Sequence, residues 1–231
     1  RIYDSTEFNK SELLVIVFLS NHCRTSQIFQ HRIIRLATEY RNKGLAVVAI
    51  SPNDPEAILP DELSHSELGD TLPEMALRAK KLLYPFPYLY DGKTQEVAKA
   101  YGVRVTPHAF LFDKKRKLRY SGRIGDPKNP EREDRAELRI AVNSLIHGIE
   151  PAVVRGLVFG NSIKWIKDRV IAQKTRERFA RESVYLKNAN IRTLQFVRRN
   201  DSKLPKLIYV WSNKDKNNRQ ELLQLAAIHK I

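Results

Sequence analysis

The stretch Ser11–Ile50, SELLVIVFLSNHCRTSQIFQHRIIRLATEYRNKGLAVVAI, decides the fold. Leu13 to Leu19 is an unbroken apolar run rich in β-branched residues, the texture of a strand buried on both faces. Ser20-Asn21-His22 reads as a loop. From Arg24 to Lys43 the apolar residues Phe29, Ile33, Leu36 and Tyr40 recur near helical spacing, and Gly44 supplies the usual helix stop. Leu45 to Ile50 repeats the buried-strand texture. Strand, helix and strand in this order predict a βαβ unit with parallel strands.

Outward from this unit, Ser51 to Thr71 is rich in Pro, Asp, Glu and Ser and reads as a surface insertion. A helix follows over about Leu72 to Leu83, then a short strand in FPYLYD, a short helix over Thr94 to Tyr101 and a stop at Gly102. Strands at His108–Phe112 and Leu118–Ser121, joined by the charged turn Asp113 to Lys117, predict an antiparallel hairpin. A helix over about Arg135 to His147 closes the set. The fold class expected is α/β, a mixed sheet with helices on both faces.

The bulk numbers agree with a soluble globular chain. Of 231 residues, 42% are hydrophobic and 29% charged, and Leu13–Leu19 is far too short to span a bilayer. The net charge of +15 is uneven: Lys164 to Ile231 holds 17 Lys and Arg against six Asp and Glu. Such a half raises the question of nucleic acid. Its aromatics are few and scattered, with no stacking platform or zinc-finger pattern, so the reading is a solvated basic face and no nucleic-acid partner. No leader is visible at the start, which is Arg1 rather than Met.

Cys23 is the single cysteine, which excludes an intramolecular disulfide and a cysteine-rich zinc site. It stands where strand gives way to helix. The first amides of the helix, Arg24 and a protonated His22 would all favour a charged sulfur there, and Ser26 lies within hydrogen-bonding reach one turn on. The same position suits a plain buried cysteine. These mechanics leave both readings open.

Several separate blocks carry a resemblance: the Asn-His-Cys loop, VVAISPNDP, PFPYLYDGKTQEVAKAYGV, VTPHAFLFDKKRKLRYSGRI and GNSIKW. In this order they resemble the redoxin branch of the thioredoxin superfamily, nearest to the peroxiredoxin-like proteins of the alkyl hydroperoxide reductase and thiol-specific antioxidant group. The likeness runs from about Ser11 to Trp165. It implies a thioredoxin-like fold, Cys23 as nucleophile, and Pro107 as a cis-proline with Thr106 facing the sulfur. Ser20, His22, Arg24 and Ser26 would support the site. The resemblance implies no cofactor, a peroxide or disulfide as substrate, and an external thiol reductant, either a thioredoxin-like protein or a small thiol.

The departures are informative. Relatives commonly carry Cys at Ser20 and Pro at Arg24; some have Cys at Val105 and many at Asn161. Peroxiredoxins proper place Pro at Ile16, while Ser20 matches their Thr or Ser. Every candidate resolving thiol is therefore absent. The function expected is a one-cysteine thiol oxidoreductase with antioxidant character. Its rival is a non-catalytic thioredoxin-like binding module. Cys23 with His22 and His108 could in principle hold copper, but His108 begins a strand and no metal is assigned.

After GNSIKW the texture changes. The expected organisation is a redoxin domain over 1–163, a basic and partly helical linker over 164–203, and at 204–231 the start of a second thioredoxin-like domain. There Leu207–Trp211 and Ser212-Asn213 echo the first strand and loop, and the usual Cys-x-x-Cys pair falls on Asp215 and Asn218. This echo favours a fragment of a longer protein. Exported bacterial relatives with that layout imply an extracytoplasmic, periplasmic or exported, setting.

Overall fold

The computed structural model describes residues 3–132, 135–181, 190–199 and 201. The echo of the first domain at 204–231, with Asp215 and Asn218, lies outside the described residues.

Strand β1 (Leu13–Phe18) is the centre of a five-stranded sheet ordered β3-β2-β1-β5-β6. It pairs in parallel with β2 (Leu45–Ser51), Leu13 opposite Leu45 and Phe18 opposite Ile50. On its other side it pairs antiparallel with β5 (His108–Phe112), which continues antiparallel into β6 (Leu118–Gly122). Strand β3 (Tyr88–Tyr90) joins the far edge of β2 in parallel. The parallel βαβ opening and the antiparallel hairpin are both present.

Side chains of a strand alternate between faces, so a strand with no polar alternation must be covered twice. Leu13, Val15 and Val17 point into one core, with Phe29, Ile33 and Leu36 of helix α1 (Arg24–Tyr40) and Leu138, Ala141 and Val142 of α4 (Glu137–Ile146). Leu14 and Phe18 point into the opposite core with Val48, Ile50, Phe110 and Ile163, and with Ala98 of the short helix α3 (Glu96–Ala100). Tyr101, Phe110 and Phe18 meet there ring to ring, with centroids 5.1 to 5.9 Å apart.

Helix α1 ends where sequence places its stop. A 3-10 turn at Arg41–Lys43 leads to Gly44 at φ +82, where a Cβ would also press on the Glu12 side chain at 2.9 Å. Helix α2 (Leu72–Lys81) starts on a Thr71–Glu74 capping box with Pro73 in its first turn.

The Ser51–Thr71 segment departs from expectation. Asn53, Asp54, Ala57, Ile58 and Asp70 are buried, so this stretch is structural rather than a surface insertion. Asn53, Asp54 and Asp70 are buried with hydrogen-bond partners, as such groups must be.

Beyond Ile163, Lys164 is buried and Trp165 packs against the second core. Helix α5 (Arg169–Arg181) lies on the Pro55–Ala57 turn: Arg169 is paired with Asp54 and Glu56, and Arg176 donates to the carbonyls of Glu56 and Ile58. The segment after the expected boundary at 163 is thus anchored to the domain before it. Helix α6 spans Ile191–Arg199. Among the described residues, no helix is long and apolar enough to cross a membrane.

The two faces of α1 give a direct test. Ile33 is fully buried and Ile28 is 38% exposed on the same helix. Ile33→Ala is expected to lower the unfolding free energy by about 2–5 kcal/mol. Ile28→Ala is expected to change it by less than about 1 kcal/mol, as surface substitutions do. Urea unfolding of the two variants beside the wild type measures both.

Candidate active site

Cys23 is the N-cap of α1, at the end of the loop leaving β1. Its sulfur accepts the Ser26 backbone N–H at 3.4 Å, and its S–H donates to the Thr106 carbonyl oxygen at 2.9 Å. Thr106 precedes Pro107 through a cis peptide bond. Thr106 and Pro107 are buried at the junction of the short strand β4 (Val105–Thr106) with β5. The resemblance implied this facing of sulfur and cis-proline, and the geometry has it.

The supporting residues sort differently. Ser20 is held over the same loop by a 3.0 Å contact between its hydroxyl and that of Thr106. The Ser26 hydroxyl does not reach the sulfur: it accepts the Ser20 N–H at 3.4 Å, and the backbone amide takes the role expected of the side chain. Arg24 is exposed on the first turn, so water screens its charge. His22 turns away into a buried polar cluster. Its Nδ1–H donates to Asp70 Oδ2 at 2.8 Å, with both side chains fully buried.

Asp70 is the residue that sequence reading missed. Beside His22, its carboxylate accepts the Asn21 N–H at 2.6 Å and the Asn53 side-chain amide at 2.7 Å. Three donors converge on one buried carboxylate, which is how such a group is accommodated away from water. Tyr88 closes the cluster, donating its hydroxyl to Asn21 Oδ1 at 3.4 Å. Loss of water pushes the Tyr88 phenol well above its usual range, and the Asp70 charge adds to this, so it stays a donor at ordinary pH. The sequence signal was there in SPNDP and GDTLPE, yet it read as loop composition.

The sulfur is sealed: Cys23 is 0% exposed. A strand that composition did not announce lies on the cis-proline loop that faces the sulfur. Strand β7 (Asn161–Ser162) pairs antiparallel with β4, Thr106 opposite Asn161 and Val105 opposite Ser162. Gly160, just before it, lies on the Thr106 peptide so closely that a Cβ there would come within 1.8 Å of the Thr106 oxygen.

His108 stands apart from this chemistry. Its Nε2 meets Ser121 Oγ at 2.9 Å, and its ring stacks on Phe110 at 4.3 Å. Among the described residues, no three His, Cys, Asp or Glu side chains gather as metal ligands.

A sheet of this order, a cysteine capping the first helix and a cis-proline loop facing its sulfur define a thioredoxin-like domain. The AhpC/TSA family profile matches residues 2–121. A hypothetical protein from Sinorhizobium meliloti 1021 is 35% identical at a TM-score of 0.62, over 71% of this chain and 86% of that one. An uncharacterized conserved protein from Geobacillus kaustophilus is 37% identical at 0.57, over 69% and 80%. Comparison with curated proteins finds no significant match. The chain belongs to the AhpC/TSA family, within the redoxins of the thioredoxin superfamily.

Two measurements check the electrostatics. Asp70→Ala strands three buried donors and is expected to cost about 3 kcal/mol or more in urea unfolding. Burial lowers the His108 pKa to about 4. Between there and the unfolded value near 6.5, the unfolded chain binds the extra proton. Stability should therefore fall as pH drops from about 6.5 toward 4. His108→Gln should fall less steeply when unfolding free energies at pH 7 and pH 5 are compared.

Proposed function

We propose that this domain is a thiol-dependent oxidoreductase in which Cys23 is the single redox thiol. The observation that carries the reading is the placement of its sulfur, which takes the Ser26 amide at a helix start and faces the Thr106 carbonyl beside Pro107. Family membership supports the same chemistry. A thiolate is the attacking form, and a helix N-terminus is where an anion is accommodated.

Two reactions are open to one cysteine. With a disulfide, the Cys23 thiolate attacks one sulfur, the S–S bond breaks, and the other half leaves as thiolate. With a hydroperoxide it attacks the outer oxygen, the O–O bond breaks to give Cys23 sulfenic acid, and the departing alkoxide or hydroxide takes a proton from solvent and leaves as alcohol or water. An external thiol then condenses with the sulfenic acid, losing water, and a second external thiol attacks the mixed disulfide and frees Cys23. The reductant, a thioredoxin-like protein or a small thiol, is external to these residues, among which Cys23 is the single cysteine. The setting proposed is extracytoplasmic, as for the exported proteins that the sequence resembles.

The second reading, a non-catalytic binding module, is favoured by one specific observation, the complete burial of the sulfur. Mass spectrometry separates the two. After exposure to hydroperoxide or to a small disulfide, the oxidoreductase reading expects a dimedone-trapped sulfenic acid or a mixed disulfide on Cys23. Dithiothreitol or thioredoxin should remove the mixed disulfide, and Cys23→Ser should show neither product. An unmodified Cys23 in folded protein, with modification only after denaturation, would establish the binding module instead.

A further inference from the structure

We infer that the Gly160–Ser162 segment is an intramolecular cover, and that Cys23 reacts from a state in which this segment has left the edge of β4. The inference rests on the reading of Cys23 as a reactive thiol and concerns how that thiol is reached.

One peptide group carries the argument. The Thr106 carbonyl oxygen accepts the Cys23 S–H at 2.9 Å. The same carbonyl is contacted by Gly160, where a Cβ would fall 1.8 Å from the oxygen, 2.7 Å from the carbonyl carbon and 3.2 Å from Pro107 Cδ. Gly160 also adopts φ +148, a region that L side chains rarely enter. Both restrictions point to a backbone laid directly on the cis-proline loop, leaving an approaching disulfide or peroxide no path over it.

The attachments of the segment are unequal. Downstream, Ile163 is buried in the second core and donates its N–H to the Arg104 carbonyl at 3.0 Å. Lys164 follows, its N–H on Asn53 Oδ1 at 2.9 Å and its carbonyl taking the Asp54 N–H at 2.9 Å and the Gln95 side-chain amide at 2.7 Å. Its ammonium is paired with Glu62. Upstream, Leu157 is 68% exposed and Phe159 46% exposed; the Leu157 carbonyl accepts the Arg123 N–H at 2.9 Å, and the Arg123 guanidinium lies over the Phe159 ring, 5.8 Å from its centroid. Between these points the cover is held by a two-residue strand pair. A short ladder with a firm anchor at one end and an exposed approach at the other is the kind of element that opens locally, without global unfolding.

The experiment is the alkylation rate of Cys23 by N-ethylmaleimide in the full chain at neutral pH. In the wild type, rates are followed through urea concentrations below the unfolding transition. Opening of a small cover exposes little surface, so the rate should be slow and nearly independent of urea. Gly160→Ala should raise it at least about tenfold, the effect of a 1.4 kcal/mol change in the opening equilibrium. Gly148→Ala is the control: Gly148 is also at positive φ, +73, but a Cβ there meets nothing within 4 Å. It should leave the rate within about twofold of the wild type once unfolding midpoints are taken into account.

Three results would overturn the cover. A wild-type rate equal to that of a free thiol would mean the sulfur is not sealed. A rate that climbs with urea along the global unfolding curve would make Cys23 a core residue reached by unfolding alone. Equal rates for the Gly160 and Gly148 variants would remove the segment from the gate. The wild-type urea series stands even if Gly160→Ala does not fold. Failure of the redox reading looks different: the cover behaves as described, yet peroxide and disulfide leave Cys23 unmodified in Gly160→Ala.

Discussion

The Thr106 carbonyl oxygen is shared by two segments far apart in the chain. The Cys23 thiol donates to it at 2.9 Å from the start of α1, and the Gly160 backbone lies against it near the end of the domain. Pro107 has no amide hydrogen, so the peptide linking it to Thr106 has an acceptor and no donor. That acceptor is buried, and a buried carbonyl needs a partner. The thiol is one partner of that oxygen, and the pairing of Thr106 with Asn161 brings β7 onto the same residue. The sulfur and the path of the chain after Gly160 therefore meet at one residue.

The loop before Cys23 is fixed by a separate constraint. Ser20-Asn21-His22 makes a sharp passage from the central strand to α1, and its polar groups are buried. Asp70 collects the Asn21 amide and the His22 ring, while Ser66 donates its hydroxyl to the Asn21 carbonyl at 3.0 Å. Arg78, reaching from α2, also donates to the Asn21 carbonyl. An apolar residue in place of Asp70 would leave the Asn21 amide, the His22 ring and the Asn53 side-chain amide without this acceptor, at a cost comparable to several ordinary hydrogen bonds. The histidine beside the thiol thus serves the scaffold through Nδ1.

This separates what was legible in sequence from what was not. The unbroken run Leu13–Leu19 gave the twice-covered central strand because burial on both faces removes polar alternation. The spacing of Phe29, Ile33, Leu36 and Tyr40 gave α1, and the change of texture at Asn21 gave the turn that carries Cys23. The cis-proline facing the sulfur came from the resemblance; periodicity has no signal for it. Asp70 was hidden because a carboxylate in a stretch of Pro, Ser, Glu and Asp looks solvated until its partners, 17 to 49 residues away, are known. Strand β7 was hidden for another reason. Two residues have no periodicity, and the pairing of Asn161 with Thr106 is a tertiary choice. That pairing lies on the cis-proline loop facing the sulfur, and the loop sequence alone does not announce it.

The two buried arrangements meet at Asn53. Its side-chain amide donates to Asp70 Oδ2 at 2.7 Å, and its carbonyl oxygen accepts the Lys164 N–H at 2.9 Å. One planar group thus ties the carboxylate under the Cys23 loop to the residue that anchors the cover. Gln95, in the left-handed region at φ 56, makes a second tie, with its side chain on the carbonyls of Pro52 and Lys164 and on the Ile166 N–H. Backbone held in that region persists only where surrounding bonds determine it, and here three do. These ties immobilise residues 163–166 against the same segment that fixes the Cys23 loop. Motion of the cover is thereby confined to the exposed side of Ile163, where Gly160 supplies the freedom and the two-residue pair with β4 sets the resistance. The polar residues of Ser51–Thr71, which composition assigned to a surface insertion, form the frame against which that motion occurs.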